Sequence, residues 1–164
     1  MKTSTTVRSV INHLVNLTMS FVLLSAINSS VHAQSNERIN IDQSGLAVKG
    51  YDVVAYFTED KPVKGSPQFA SMHGGGTYQF ASAENKAAFD QDPAKYAPQF
   101  GGYCAWAVSK NSIAKIDPEA FQIVDGRLLL QYDKSVRETF SKDLAGNLAK
   151  ADANWPRLSV KKGN

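Results

Sequence analysis

A small α+β domain with antiparallel strands is the fold class this sequence predicts, and three observations carry the prediction. Asp125-Gly126 lies between two apolar runs, residues 121–124 and 127–132, the mark of a hairpin closed by a two-residue type I′ turn. Residues 77–80 alternate with period two and lead straight to Ser82, a good helix N-cap, with Glu84 in the first turn behind it. Val136, Phe140 and Leu144 recur every four residues, the spacing of an amphipathic helix. Strands and helices follow one another with neither an internal repeat nor a βαβ rhythm, which argues for small antiparallel hairpins packed with short helices in one domain.

The elements are justified in chain order. Residues 1–33 read as a secretory signal peptide: Lys2 and Arg8 give a basic start, residues 14–27 are mostly apolar, and Val31-His32-Ala33 offers a cleavage site. Asn16, Thr18 and Ser20 interrupt the apolar run, and it is short for a bilayer span; a retained membrane anchor is the rival reading. Elsewhere no apolar run approaches membrane length. Residues 34–44 form a flexible lead, in which Ile39 and Ile41 alternate with polar residues as a short edge strand would. The domain proper covers residues 45–158, and residues 159–164 are a disordered tail.

Within the domain, Val53, Val54, Ala55, Tyr56 and Phe57 are apolar without alternation, which suggests burial on both sides. Residues 58–67 hold Asp60, Pro62, Gly65 and Pro67 and read as a loop. Glycines 74, 75 and 76 permit a tight reversal before the 77–80 strand. Phe89 anchors the helix that starts at Ala83, and Pro93 ends that helix and opens a new turn reaching Tyr96. Gly101-Gly102 brings the chain round to Tyr103, Cys104 and Trp106. Residues 109–116 are loop, and Asp117-Pro118-Glu119-Ala120 reads as a cap and first position opening one helical turn. In the hairpin, Leu128 and Leu130 share one face and Leu129 takes the other, with both faces covered. Asp133 or Ser135 caps the final amphipathic helix. After Gly146 a short helical tail leads to Trp155-Pro156, and an aromatic so near the end docks on the body.

Composition excludes several functions. The leader holds two basic residues and no acid, so removing it lowers the net charge from +3 to +1. With no concentrated basic footprint, nucleic acid is not an expected partner. His13 and His32 leave with the leader, so His73 and Cys104 are the only histidine and cysteine of the exported, periplasmic or secreted protein. A closed structural zinc site needs four ligands, which one chain of this composition does not supply from Cys and His. GGGTYQF lacks the Lys and Ser or Thr of a phosphate loop and is read as a turn.

The chain resembles YHS-domain proteins. The matching pieces are Gly50-Tyr51-Asp52-Val53-Val54-Ala55-Tyr56-Phe57, then Tyr78-Gln79-Phe80-Ala81-Ser82, then Phe89, Pro93 and Tyr96, then Gly101-Gly102-Tyr103-Cys104. The resemblance covers residues 45–158, with the Asp125-Gly126 hairpin and the closing Asn154-Trp155-Pro156, and is closest to the exported, stand-alone bacterial branch. It implies an association with metal-handling proteins, including heavy-metal transport ATPases. The short metal-linked form carries cysteines at the positions of Ala81 and Asn85, so the metal role does not transfer on those residues.

Three functional readings follow. The first is an exported binding or accessory module, in which aromatics beside the glycine turns line a groove for a small apolar ligand or a partner protein. Tyr51, Asp52, Tyr78, Phe80, Tyr103 and Trp106 are its pocket or structural residues. Asp52 is expected to accept backbone hydrogen bonds that tie the opening loop down. The second is a site for Cu(I) or another soft or transition metal ion built from Cys104, His73 and Met72, since thiolate, imidazole and thioether suit such ions. In the third, Cys104 is a nucleophile paired with His73 in a thiol-dependent enzyme. Against the last two stands an inert, buried Cys104 and a His73 on an exposed turn.

Overall fold

The computed structural model describes residues 37–160; the leader 1–33 and residues 161–164 of the tail lie outside the described residues. The fold is α+β, as the sequence predicts: two two-stranded antiparallel sheets surrounded by short helices. The chain enters through a left-handed turn at Val48–Gly50 and a one-turn helix α1 (Ala55–Thr58). The first hairpin is β1 (Ser66–His73) with β2 (Gly76–Phe80), followed by α2 (Ala83–Gln91) and α3 (Pro93–Tyr96). A second left-handed turn, Phe100–Gly102, leads into α4 (Ala105–Ser109). Then come the hairpin β3 (Asp117–Val124) and β4 (Arg127–Gln131), α5 (Lys134–Ser141) and α6 (Leu144–Leu158).

Local chemistry sets these boundaries. Ser82 accepts a hydrogen bond from Asn85 N–H, Asp92 from Lys95 N–H, Asp133 from Val136 N–H and Asp143 from Gly146 N–H, so each of four helices starts at a side-chain cap. Asp125 and Gly126 have φ of 50° and 73°, the left-handed pair that a type I′ turn requires. Leu128, Leu129 and Leu130 are all fully buried, so both faces of β4 are covered. One core gathers Tyr56, Tyr78, Phe80, Phe89, Leu128 and Leu130; a second gathers Phe100, Val108, Leu129 and Phe140 beneath α6.

Between residues 45 and 158 the elements depart from the sequence reading in four places. β1 begins at Ser66, where a loop was expected to Pro67; its half-exposed residues do not alternate, because the ladder slips between Ser66 and Ala70. Asp117-Pro118 opens β3 rather than a helical turn. Its backbone is held extended by the Asp117–Gln131 pairing, the Pro118 carbonyl accepts from Tyr56 Oη at 3.0 Å, and Asp117 caps only the Glu119 N–H. Proline is tolerated there because it sits at a strand start beside a bulge. Leu144 does not prolong the amphipathic helix: Asp143 starts a new one, and the expected short tail is the 15-residue α6. Finally, the order turn, helix, hairpin, capped helix occurs twice, where no repeat was read.

The lead is docked from residue 37 onward. Arg38 N–H donates to Ser159 O at 2.7 Å and Asn40 N–H to Gly101 O at 2.8 Å, while Ile41 and Ala47 form an isolated bridge rather than a strand. The polar composition that suggested a flexible lead carries no sign of these backbone partners. No helix among the described residues is long and apolar enough to cross a membrane.

Candidate functional site

Asp52 is fully buried, and four donors converge on its carboxylate. Oδ1 accepts from Val54 N–H at 2.8 Å and Ala55 N–H at 3.3 Å; Oδ2 accepts from Ala81 N–H at 2.8 Å and Asn85 Nδ2 at 2.7 Å. Position 52 precedes α1, so the first N–H groups of that helix point at it. The side chain therefore ties the opening loop to the end of β2 and the start of α2. With its lone pairs occupied it is a structural lock, not a general base.

Cys104 precedes α4 in the same way and is 1% exposed. Its Sγ lies 3.4 Å from Gln131 Oε1, which also accepts from Trp106 N–H at 3.0 Å. Burial pushes the thiol pKa up, against the opposing pull of the Ala107, Tyr132 and Trp106 N–H groups. A nucleophile or metal ligand needs the opposite shift.

His73 ends β1, half-buried rather than on an open turn. Its ring meets Phe89 edge-on at 5.8 Å and stands 6.3 Å from Tyr78. Met72, its neighbour on the strand, points to the other face and is 79% exposed. Cys104 contacts Gln131 and Leu130 instead of either. Exposed Met72 and buried Cys104 thus stand in opposite surroundings, and among the described residues no group of three His, Cys, Asp or Glu is placed to hold a metal ion. The physical reason is strand alternation for Met72 and core packing for Cys104.

What His73 does line is a cleft of about 320 Å³. Tyr78 and Ile39 share its wall with the Ala97–Gly101 segment, and Trp155 and Pro156 of α6 close the other side. Phe100 has φ of 57° and Gly101 φ of 57°. A left-handed phenylalanine is a strained position of the kind that clusters at binding sites. Trp155 packs against Phe100 at 6.0 Å and Tyr103 at 6.3 Å, and its Nε1 donates to Glu37 Oε1 at 2.7 Å. Asp152 is taken up by Arg127, whose Nε also donates to Gln99. Among the described residues, no hydrogen bond occupies the His73 imidazole.

Of the other expected site residues, Tyr78 alone lines this cleft. Phe80 is core, Tyr51 carries Lys64 over its ring at 4.5 Å, Trp106 carries Lys110 at 4.0 Å, and Tyr103 donates to Ile39 O at 3.4 Å. Sequence reasoning did not single out Gln99, Phe100 or Gln131. Phe100 before two glycines was the available signal, since consecutive glycines mark backbone that takes positive φ; nothing local marks Gln131.

Residues 54–100 match the family model of the YHS domain, so the chain carries a YHS domain over that stretch. Neither a curated protein nor a solved structure matches the chain. The metal role that the resemblance raised lacks in this chain the two thiolates on which it rests. At the two positions where the metal-linked form has cysteines, the methyl of Ala81 offers a cation no lone pair, and Asn85 Nδ2 donates to Asp52 Oδ2 instead of accepting.

Proposed function

We propose that this protein is an exported binding or accessory module whose ligand seat is the cleft beside His73. The observation that carries the reading is the cleft's make-up. Trp155, Pro156 and Pro98 wall the cleft over buried Tyr78 and Phe100, Glu37, Gln99 and Asp152 give it polar edges, and the His73 imidazole has no hydrogen-bond partner among the described residues, the pattern of a small-molecule site with polar groups fixing orientation. Its acids are already engaged, Glu37 by Trp155 and Asp152 by Arg127. The ligand class is therefore a small molecule with an apolar face for Trp155 and a polar group to meet His73. Export rests on the basic start, apolar run and cleavage site of residues 1–33.

Ligand-observed NMR with a set of small aromatic fragments tests this on the protein lacking residues 1–33. Fragments should bind and lose binding in His73→Ala and Trp155→Ala. Binding unaffected by both substitutions would place the ligand elsewhere.

A further inference from the structure

The two runs of elements agree down to single hydrogen bonds. β1 and β3 are each 8 residues long and β2 and β4 each 5. Both hairpins slip register at the same rung: Ser66 pairs with Phe80 and then Ala70 with Gln79, as Asp117 pairs with Gln131 and then Phe121 with Leu130. Before each hairpin the bonds correspond. Ala47 N–H donates to Thr77 O and Gln99 N–H to Leu128 O, both at 2.9 Å; Asp52 N–H donates to Val63 O and Cys104 N–H to Ala114 O. After each, Ser82 and Asp133 cap α2 and α5, and Asp92 and Asp143 cap the next helix. Matched positions keep Gly50 and Gly102, Tyr51 and Tyr103, Pro67 and Pro118, Phe89 and Phe140.

In this correspondence Cys104 stands where Asp52 stands. The amides that hold Asp52, those of Val54, Ala55 and Ala81, have Trp106, Ala107 and Tyr132 as counterparts, and these are the N–H groups that face Sγ. The fourth donor, the Asn85 side chain, is matched by that of Val136, which has no donor group. A different amide reaches the place: Gln131 is fully buried against Sγ, and its Nε2 has no hydrogen-bond partner. A buried orphan N–H is costly. With an anion at position 104, the Gln131 amide can turn to donate Nε2–H to it while Trp106 N–H donates to the anion directly.

We propose that residues 99–147 are a second, diverged copy of the unit that carries the YHS domain, and that the seat of the Asp52 carboxylate recurs around Cys104 as a place for a side-chain carboxylate, with Gln131 as its side-chain donor. The seat is independent of the cleft.

The test compares Cys104→Asp with its neutral isostere Cys104→Asn, using Cys104→Ala as the folding control, by urea unfolding across pH. Against the burial that raises the Cys104 thiol, the three amides and a turned Gln131 Nε2–H favour a charged carboxylate, so the proposal requires the folded pKa of the new aspartate to lie below its unfolded value. Its stabilisation is then present near neutrality and lost as pH falls through the folded pKa. Cys104→Asp should unfold at a urea midpoint equal to or above that of Cys104→Asn at pH 7, with the advantage vanishing in acid. The proposal is overturned if Cys104→Asp is the less stable of the two at pH 7 and gains on acidification. It is equally overturned if Cys104→Ala folds and neither Asp nor Asn does, because the pocket is then not carboxylate-sized.

Discussion

Asp52 and Cys104 show how burial gives similar positions different chemistry. Asp52 is a charge made tolerable by four donors, and removing it leaves them without that acceptor, the Val54 and Ala55 N–H groups in fully buried surroundings. Asp52→Ala should therefore cost about 3 kcal/mol or more in urea unfolding, and a loss below about 1 kcal/mol would contradict the lock. Cys104 makes the complementary prediction in alkali. Burial holds its pKa above the ordinary value of 9.0, so above that pH the unfolded chain releases a proton that the folded chain keeps. Stability falls as pH rises through this range. Tyr56 and Tyr78, also raised by burial from 10.0, add to the fall only at higher pH. Cys104→Ala should flatten the curve between about pH 9 and 10. An identical slope in both proteins would show that the thiol titrates normally.

At the level of elements, the helix caps are the clearest link from sequence to structure. The Asp133 carboxyl is held below its usual value of 3.8 by the Val136 N–H and the Ser135 hydroxyl, so its cap is complete above that value and is lost as pH falls below it. Its counterpart Ser82 does not titrate. Asp133→Ser should leave stability at neutral pH nearly unchanged and make unfolding less acid-sensitive below about pH 4, as read by circular dichroism. An unchanged acid profile would show that the cap carries no linkage. The Ser82 and Asp133 caps, the Asp125-Gly126 turn and the Phe89 anchor were legible in the sequence because each is decided within a few residues. β1 and the Asp117-Pro118 start of β3 were not, since a bulge breaks the alternation that marks a strand. The same limit hid Gln131: its role depends on Cys104, 27 residues away, and on the fold that joins them.

For the whole molecule, the repeated architecture explains where the cleft lies. His73 and Tyr78 come from the first hairpin, while Phe100 and Gly101 belong to the left-handed turn that opens the second half. Gly101 has no room for a side chain, because a Cβ there would run into the Arg38 carbonyl and crowd Trp155. The lead, the second turn and α6 therefore close on one another at this point, and the cleft is their common border. The repeat escaped sequence reading because its halves share side chains mainly at turns and caps, while the shared feature is backbone geometry.

The most direct measurement is the intact native mass, with metal content, of the protein purified from its own compartment without chelators, alongside Trp155→Ala and Cys104→Ala. The account predicts a small organic adduct that is lost in Trp155→Ala and kept in Cys104→Ala. A bound metal that disappears in Cys104→Ala and persists in Trp155→Ala would contradict it, and would move the site from the cleft to the thiol.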